Sequence, residues 1–279
     1  MPENRDATAA VESLMFQNAF EGISQYRNPL CFELAGKMTS IQFDDGSSLD
    51  IQWISGSRAR FTDEKGNVRT DNYQCTKAED QVYLVLVDRN DLHPREGLIL
   101  VMDFAENLVT ANFAKQGTYP DFPELVRANI RFGYIRRDGR KPPEKRHAFT
   151  NDLVGRKYEW NYTPEFRICH IYMAPDHYRW GQTDENRRAR DIPVNDRSQS
   201  AYYIKLRDNL YIFSWIEDNG GGGTEGFIVL NTDRVTDTGC FFGCAGPDKH
   251  QEAYLFCAYG KPVAEHLQDE DPEDRYQKP

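Results

Sequence analysis

The 279-residue sequence predicts a mainly β protein made of two tandem antiparallel barrel-like units behind a short N-terminal helix. Three observations carry that prediction. Aromatic residues make up 13% of the chain, with 15 Tyr, 16 Phe and 4 Trp, and such side chains fit the half-buried surface of a strand better than a helix. Short β-type runs alternate with Asp-Gly, Asp-Asn and Asn-Gly turn signals, while sustained amphipathic helices are scarce. The runs of one half of the chain reappear, in order, in the other half.

The segments follow from these patterns. Residues 1–29 form an N-terminal segment in which Val11, Leu14, Met15, Ala19 and Phe20 fall roughly at helical spacing, predicting one helix over 7–24 that packs on a barrel end. Residues 30–136 form the first barrel unit, with strand runs at Ser48 to Trp53, Val82 to Val87, Leu98 to Met102 and Val109 to Phe113. A basic, proline-containing linker spans 137–149. The second unit, 150–264, carries runs at Lys157 to Tyr162, Cys169 to Met173, Tyr202 to Leu206, Leu210 to Trp215, Phe227 to Leu230, Gly239 to Phe242 and Ala253 to Tyr259. Gly220 to Gly223 reads as a hairpin tip, since no helix follows to make a phosphate cradle. The acidic tail 265–279 buries too little apolar surface to offset its ordering entropy and is expected to be flexible.

The repeat is the most informative feature. Leu34-Ala35-Gly36-Lys37 opens one series and Leu153-Val154-Gly155-Arg156 the other. Asp80 to Val85 answers Asp208 to Phe213, Leu98 to Asp103 answers Phe227 to Thr232, and Asn107 to Thr110 answers Asp233 to Thr236. A tandem duplication explains four ordered matches economically. Counting forward from each glycine, Thr39, Ile41 and Phe43 stand where Tyr158, Trp160 and Tyr162 stand; Leu86, Val87 and Arg89 stand where Ser214, Trp215 and Glu217 stand. Alternate strand residues share a face, so an inward face here gives the second barrel a lumen of hydroxyls, indoles and a carboxylate, and leaves the first filled.

Composition excludes several function classes. A net charge of -10 repels a phosphate backbone, so no nucleic-acid partner is expected. The basic run Arg136, Arg137, Arg140, Lys141, Lys145 and Arg146 is interrupted by Pro142 and Pro143 and reads as solvated linker. No apolar run approaches the roughly 20 residues that span a bilayer, and the N-terminus has neither a basic start nor an apolar core, so a cytoplasmic protein without membrane partners is expected. Six dispersed cysteines predict reduced thiols. Cys240 and Cys244 are spaced like half of a metal site, but no second ligand pair follows, and neither a metal nor a cofactor is expected.

Several motifs together resemble a known family. The duplicated L-x-G-[KR] starts, His170-x-Tyr172, Tyr178-Arg179-Trp180, Phe213-Ser214-Trp215-Ile216-Glu217 and Asp237 to Gly243 look like the two-domain molybdenum cofactor biosynthesis protein F (MoaF) family over roughly residues 30 to 260. That resemblance implies two calycin/lipocalin-like barrels and says little about reaction. More distantly, the second copy is similar to the phenolic acid decarboxylases, small lipocalin-type lyases with a Y-x-Y strand, a later Arg-Trp and an S-W-x-E strand. Here Trp160-Asn161-Tyr162 takes the paired-tyrosine place, with Trp160 replacing one hydroxyl.

The expected site lies in the second barrel. Glu217, in an apolar run, is the candidate proton-transfer group; Tyr162 is a hydrogen-bond donor to ligand; Arg179 is a bidentate partner for a substrate carboxylate. Trp160, Tyr158, His170, Tyr172, Trp180 and Trp215 are the expected ligand-lining residues. The implied activity is a cofactor-free lyase or isomerase acting on a small aromatic or unsaturated acid. A non-catalytic small-molecule binder or a biosynthetic accessory protein are the alternatives. A small molecule is the expected partner, and the sequence also allows a homodimer.

Overall fold

The structure is a computed structural model that describes residues 23–117, 126–164, 166–182, 199–218, 223–245 and 250–264. Apart from Ile23 and Ser24, which sit at a turn, the expected N-terminal helix lies outside these residues, as do the acidic tail and Gly220 to Gly222. The described chain is all strand and turn. No helix in it is long and apolar enough to cross a membrane.

The first sheet contains β1 (Met38–Phe43), β2 (Ser48–Trp53), β3 (Arg58–Asp63), β4 (Val68–Asn72), β5 (Gln74–Glu79), β6 (Val82–Arg89), β7 (Glu96–Asp103), β8 (Leu108–Gln116), β9 (Val126–Arg127) and β10 (Ile130–Arg136). Its path runs β4-β3-β2-β1-β10-β8-β7-β6-β5, every pair antiparallel. The two ends of that path, β4 and β5, are consecutive in the chain, joined by Tyr73. The barrel therefore turns its last corner along the backbone, one bent strand pairing first with β3 and then with β6.

The second sheet contains β11 (Ala148–Phe149), β12 (Lys157–Asn161), β13 (Arg167–Ala174), β14 (His177–Gln182), β15 (Gln199–Arg207), β16 (Leu210–Asp218), β17 (Gly223–Asn231), β18 (Thr236–Ala245) and β19 (His250–Ala264). Strands β12 to β19 form a closed antiparallel ring, β19 pairing back to β12 and β15 to β16. The ring is narrowest between β14 and β15, which pair at His177↔Ser200 and Tyr178↔Gln199. The predicted runs lie within or overlap these strands, and β16 and β17 stay paired to Asp218↔Gly223.

The duplication is visible in backbone detail. Gly36 and Gly155 both adopt positive φ, 77° and 88°, and each donates its N–H to a carbonyl two strands of chain later, Trp53 and Tyr172, at 2.7 Å in both cases. Gln81 and Asn209 share left-handed φ values of 59° and 61°, and their carbonyls accept from Phe104 and Thr232. Asn107 (φ 57°) and Val235 (φ 49°) likewise accept from Ile135 and Gly260. These anchors correct two of the sequence matches. Asp103 is the twin of Asn231, one residue earlier than matched, because both pair with the first residue of the preceding strand, Val82 and Leu210. Asn107 is the twin of Val235, two residues later than matched. A one-residue slip matters because it reverses which face a side chain occupies.

Strands β6 and β16 are buried on both faces. Tyr83, Val85 and Val87 fill the first barrel with Ile41, Ile51, Trp53 and Leu100. Val82, Leu84 and Leu86 point the other way, into a layer shared with Ile212, Phe227, Val229, Phe242 and Leu255 of the second barrel. The two barrels thus pack outer face to outer face. Paired polar contacts repeat across this layer: Arg207 binds Asp103, and at the twin positions Glu79 accepts from Asn231 at 2.7 Å. Arg95 crosses from the first barrel to the Gly243 and Glu252 carbonyls at 2.7 and 3.0 Å, its guanidinium over the Phe242 ring. The basic segment before β11 is anchored too, since Arg146 pairs with Asp44 and the buried His147 meets Thr110 at 2.9 Å. All six cysteines are buried free thiols, with Cys240 packed in the shared layer.

Candidate functional site

The inner face of the second barrel is built from alternate residues: Tyr158 and Trp160 on β12 with Tyr162 just beyond, His170 and Tyr172 on β13, Tyr178 and Trp180 on β14, Tyr203 on β15 and Phe213 and Trp215 on β16. Phe213 is the hub. Its ring centroid lies 4.7 Å from Trp215, 4.8 Å from Tyr178, 5.0 Å from Tyr172 and 5.4 Å from His170. Tyr158 stacks on Trp160 at 5.6 Å. Offset and edge-on contacts of this kind hold rings in fixed orientations, so the polar tips they carry are held too.

Those tips are the unusual feature. Trp160 Nε1, His170 Nδ1, Tyr172 OH, Tyr178 OH and Trp180 Nε1 are all buried without a hydrogen-bond partner. A buried polar atom without a partner costs about 1–3 kcal/mol, and five such atoms stand around one lumen. Tyr172 OH neighbours Trp160, and Tyr178 OH neighbours Glu217, but neither pair reaches hydrogen-bond geometry. Burial pushes Tyr162, Tyr172 and Tyr178 well above the usual tyrosine range, and pushes His170 down to about 3, so all four are neutral at physiological pH.

One polar pair is complete. Tyr162 donates its hydroxyl to Asp237 Oδ2 at 2.8 Å. Asp237, on β18, is 1% exposed, its Oδ1 has no partner, and burial raises its pKa to about 7 against the lowering effect of the Tyr162 bond. Sequence reasoning passed over Asp237, treating it as the start of a family motif. The available signal was its twin position, which is Val109 once the register is corrected.

Glu217 sits on the inner face toward the other end of β16, accepting from Trp215 Nε1 at 2.7 Å. It pairs across β17 with Thr224, while Asp237 lies level with Leu230 and Tyr211, six residues back along β16 and roughly 20 Å along the strand. Near Glu217 a second carboxylate, Glu252, accepts from Thr224 Oγ1 at 2.8 Å, and its pKa is raised to about 7 by burial. Tyr162 and Glu217 therefore share a lumen but serve different ends of it.

Arg179 is not brought to them. It lies between Tyr178 and Trp180, both of which face inward, so alternation places it, half-buried, on the outer face, where its first-barrel twin Arg60 is exposed. Ser214 also faces outward, donating to the buried Glu225 at 2.9 Å in the layer between the barrels; Asn112 of the first barrel donates to the same oxygen at 2.6 Å. The cation that does reach a lumen hydroxyl is Arg156, with Nη1 3.5 Å from Tyr158 OH.

At the twin positions the first barrel is closed to such chemistry. Where the second has Trp160, Tyr162, His170, Tyr178 and Asp237, the first has Ile41, Phe43, Ile51, Ala59 and Val109. Its one corresponding polar pair is satisfied, Trp53 Nε1 donating to Thr39 Oγ1 at 2.9 Å.

Two family models match this duplicated chain, the MoaF N-terminal domain over residues 15–116 and the MoaF C-terminal domain over residues 147–266. The chain belongs to the MoaF family. A relative, Protein MoaF of Klebsiella aerogenes, is 28% identical over 124 residues, covering 44% of this chain and 44% of that protein. The lumen just described lies wholly within the MoaF C-terminal match, and the filled barrel within or beside the MoaF N-terminal one.

Proposed function

We propose that this MoaF-family protein binds a small aromatic or unsaturated molecule inside its second barrel and that proton-transfer chemistry of the lyase or isomerase type takes place there without a cofactor. The observation that carries the reading is the ring of buried Trp, Tyr and His polar atoms left without partners in the second barrel alone. A ligand that supplies their missing hydrogen bonds recovers free energy that these unpaired groups forfeit. The buried carboxyls of Asp237 and Glu252, with pKa values raised to about 7, are suited to exchanging a proton near neutral pH. Arg179, expected to hold a carboxylate anion, lies on the outer face; among the described residues the guanidinium that reaches a lumen hydroxyl is that of Arg156 at Tyr158, and the buried carboxyl of Asp237 favours an uncharged ligand over an ionised acid.

A non-catalytic carrier is the second reading, favoured by the close mutual packing of the rings around Phe213. Fluorescence separates the outcomes. In a Trp53→Phe variant the remaining indoles, Trp160, Trp180 and Trp215, all belong to the second barrel. Saturable quenching by small aromatic ligands supports the binding site, and product formation from a bound ligand distinguishes enzyme from carrier. Absence of saturable quenching across neutral and acidic rings contradicts both.

A further inference from the structure

We infer that Asp237, held by Tyr162, is the hydrogen-bond acceptor around which the ligand of the second barrel is oriented, and that this ligand is an uncharged ring bearing a hydroxyl. The inference rests on the binding reading above and narrows it to one acceptor and one ligand chemistry.

The geometry selects Asp237. Of its two carboxyl oxygens, Oδ2 is occupied by Tyr162 and Oδ1 is buried and unmatched. Tyr172 is close enough for the Asp237 charge to raise its pKa, and Tyr172 in turn neighbours Trp160, so two unpartnered donors stand in the same part of the lumen as one unpartnered acceptor. A group meeting both kinds must donate and accept at once, which a hydroxyl does and a methyl, halogen or ether does not. The surrounding walls, Phe256 5.6 Å from Tyr162 and Phe166 6.0 Å from it, are aromatic and suit a flat ring. The ligand is uncharged because an anion would face the Asp237 carboxylate in a low-dielectric interior.

The twin barrel provides an internal control. Phe43 and Val109 replace Tyr162 and Asp237 there, in a packed core. A protein of this fold therefore accommodates an apolar pair at these positions, and the second barrel carries a buried acid at a cost that burial alone does not repay.

The titratable groups near Asp237 are Tyr162 from the end of β12, Tyr172 from β13 and Cys257 from β19, whose thiol lies on the outer face of the sheet; the flanking residues Leu230 of β17, Phe256 and Ala258 are apolar. None of the three ionises below Asp237, but Glu252 toward the other end of the barrel and Glu225 between the barrels titrate in the same range, so only a pH dependence that disappears in Asp237→Asn reports Asp237.

The test compares 4-methylphenol with toluene, rings that differ by one hydroxyl, by titration calorimetry on the full chain. The wild type is expected to prefer 4-methylphenol by about tenfold above neutral pH, a preference that shrinks several-fold as the pH falls through about 7 and Asp237 takes up its proton. Asp237→Asn should make the preference independent of pH. The double variant Tyr162→Phe/Asp237→Val, which copies the first barrel, should bind both rings within about twofold of each other while unfolding cooperatively. Equal affinity of the wild type for the two rings, or a preference that survives in the double variant, overturns the inference and leaves the lumen as a binding site. Binding of neither ring overturns both.

Discussion

Tyr162 donates its hydroxyl to Asp237 at 2.8 Å at positions whose twins in the first barrel are Phe43 and Val109. A duplicated fold thus carries a buried polar pair in one copy where the other copy carries an apolar pair. The replacement defines where the copies diverge in chemistry, and the consequences are measurable.

Tyr162→Phe removes the hydroxyl donated to Asp237 Oδ2 and leaves the buried carboxyl with the neighbouring Ala258 N–H as its polar contact. The expected loss is about 1–3 kcal/mol of unfolding free energy. Adding Asp237→Val should recover part of it, giving a coupling of about 1 kcal/mol or more in a double-mutant cycle read by urea denaturation. Strictly additive losses would mean that the hydrogen bond contributes nothing.

Burial raises the pKa of Glu225, in the layer between the barrels, from 4.5 to about 7, against hydrogen bonds from Asn112 and Ser214. A carboxyl with a raised folded-state pKa carries no penalty below pH 4.5 and a growing one as the pH rises to about 7, so wild-type stability should fall across that window. Glu225→Gln removes the penalty. The variant should gain about 1–3 kcal/mol on wild type at pH 8, with the difference shrinking toward pH 4. Urea midpoints at the two pH values check it; a variant less stable at pH 8 contradicts it.

Asp103 is fully buried and its charge is met by Arg207 from the other barrel. Arg207→Leu leaves that carboxylate without its cation, and the expected cost is about 3–5 kcal/mol by thermal or urea unfolding. Arg207→Leu/Asp103→Leu should be much closer to wild type. If the single variant is harmless, the two barrels are not held together in this way.

Gly226 faces the lumen beneath Trp215, where an added Cβ would stand 2.2 Å from the indole. Gly226→Ala should displace Trp215, cost about 1–3 kcal/mol, and shift the tryptophan emission. An unchanged spectrum would mean that the indole is not seated as described.

Much of this architecture was legible in the sequence because strand periodicity and turn residues are local. Positive-φ residues such as Gly36 and Gly155 mark the same turn in both copies, and the inward run Tyr158, Trp160, Tyr162 follows from period-two alternation alone. The reading failed where a residue's role depended on register between distant strands. Arg179 reads as a ligand residue in the triplet Tyr178-Arg179-Trp180, yet its neighbours take the inner face and leave it outside. Asp237 was missed because a slip of two residues near Asn107 hid its match to Val109. One partner of Glu225, Asn112, comes from the first barrel, a contact that nothing in the linear sequence of either copy announces.

The central claim is that the second barrel, and not the first, holds the ligand site, and the indole N–H resonances test it directly. Each tryptophan gives one such signal, and Trp160 and Trp180 have unpartnered Nε1 atoms whereas Trp53 Nε1 is bonded to Thr39. Titrating 4-methylphenol into nitrogen-15-labelled protein should shift the Trp160 and Trp180 signals saturably and leave Trp53 in place. A shift confined to Trp53, or no saturable shift at any indole, would contradict the account.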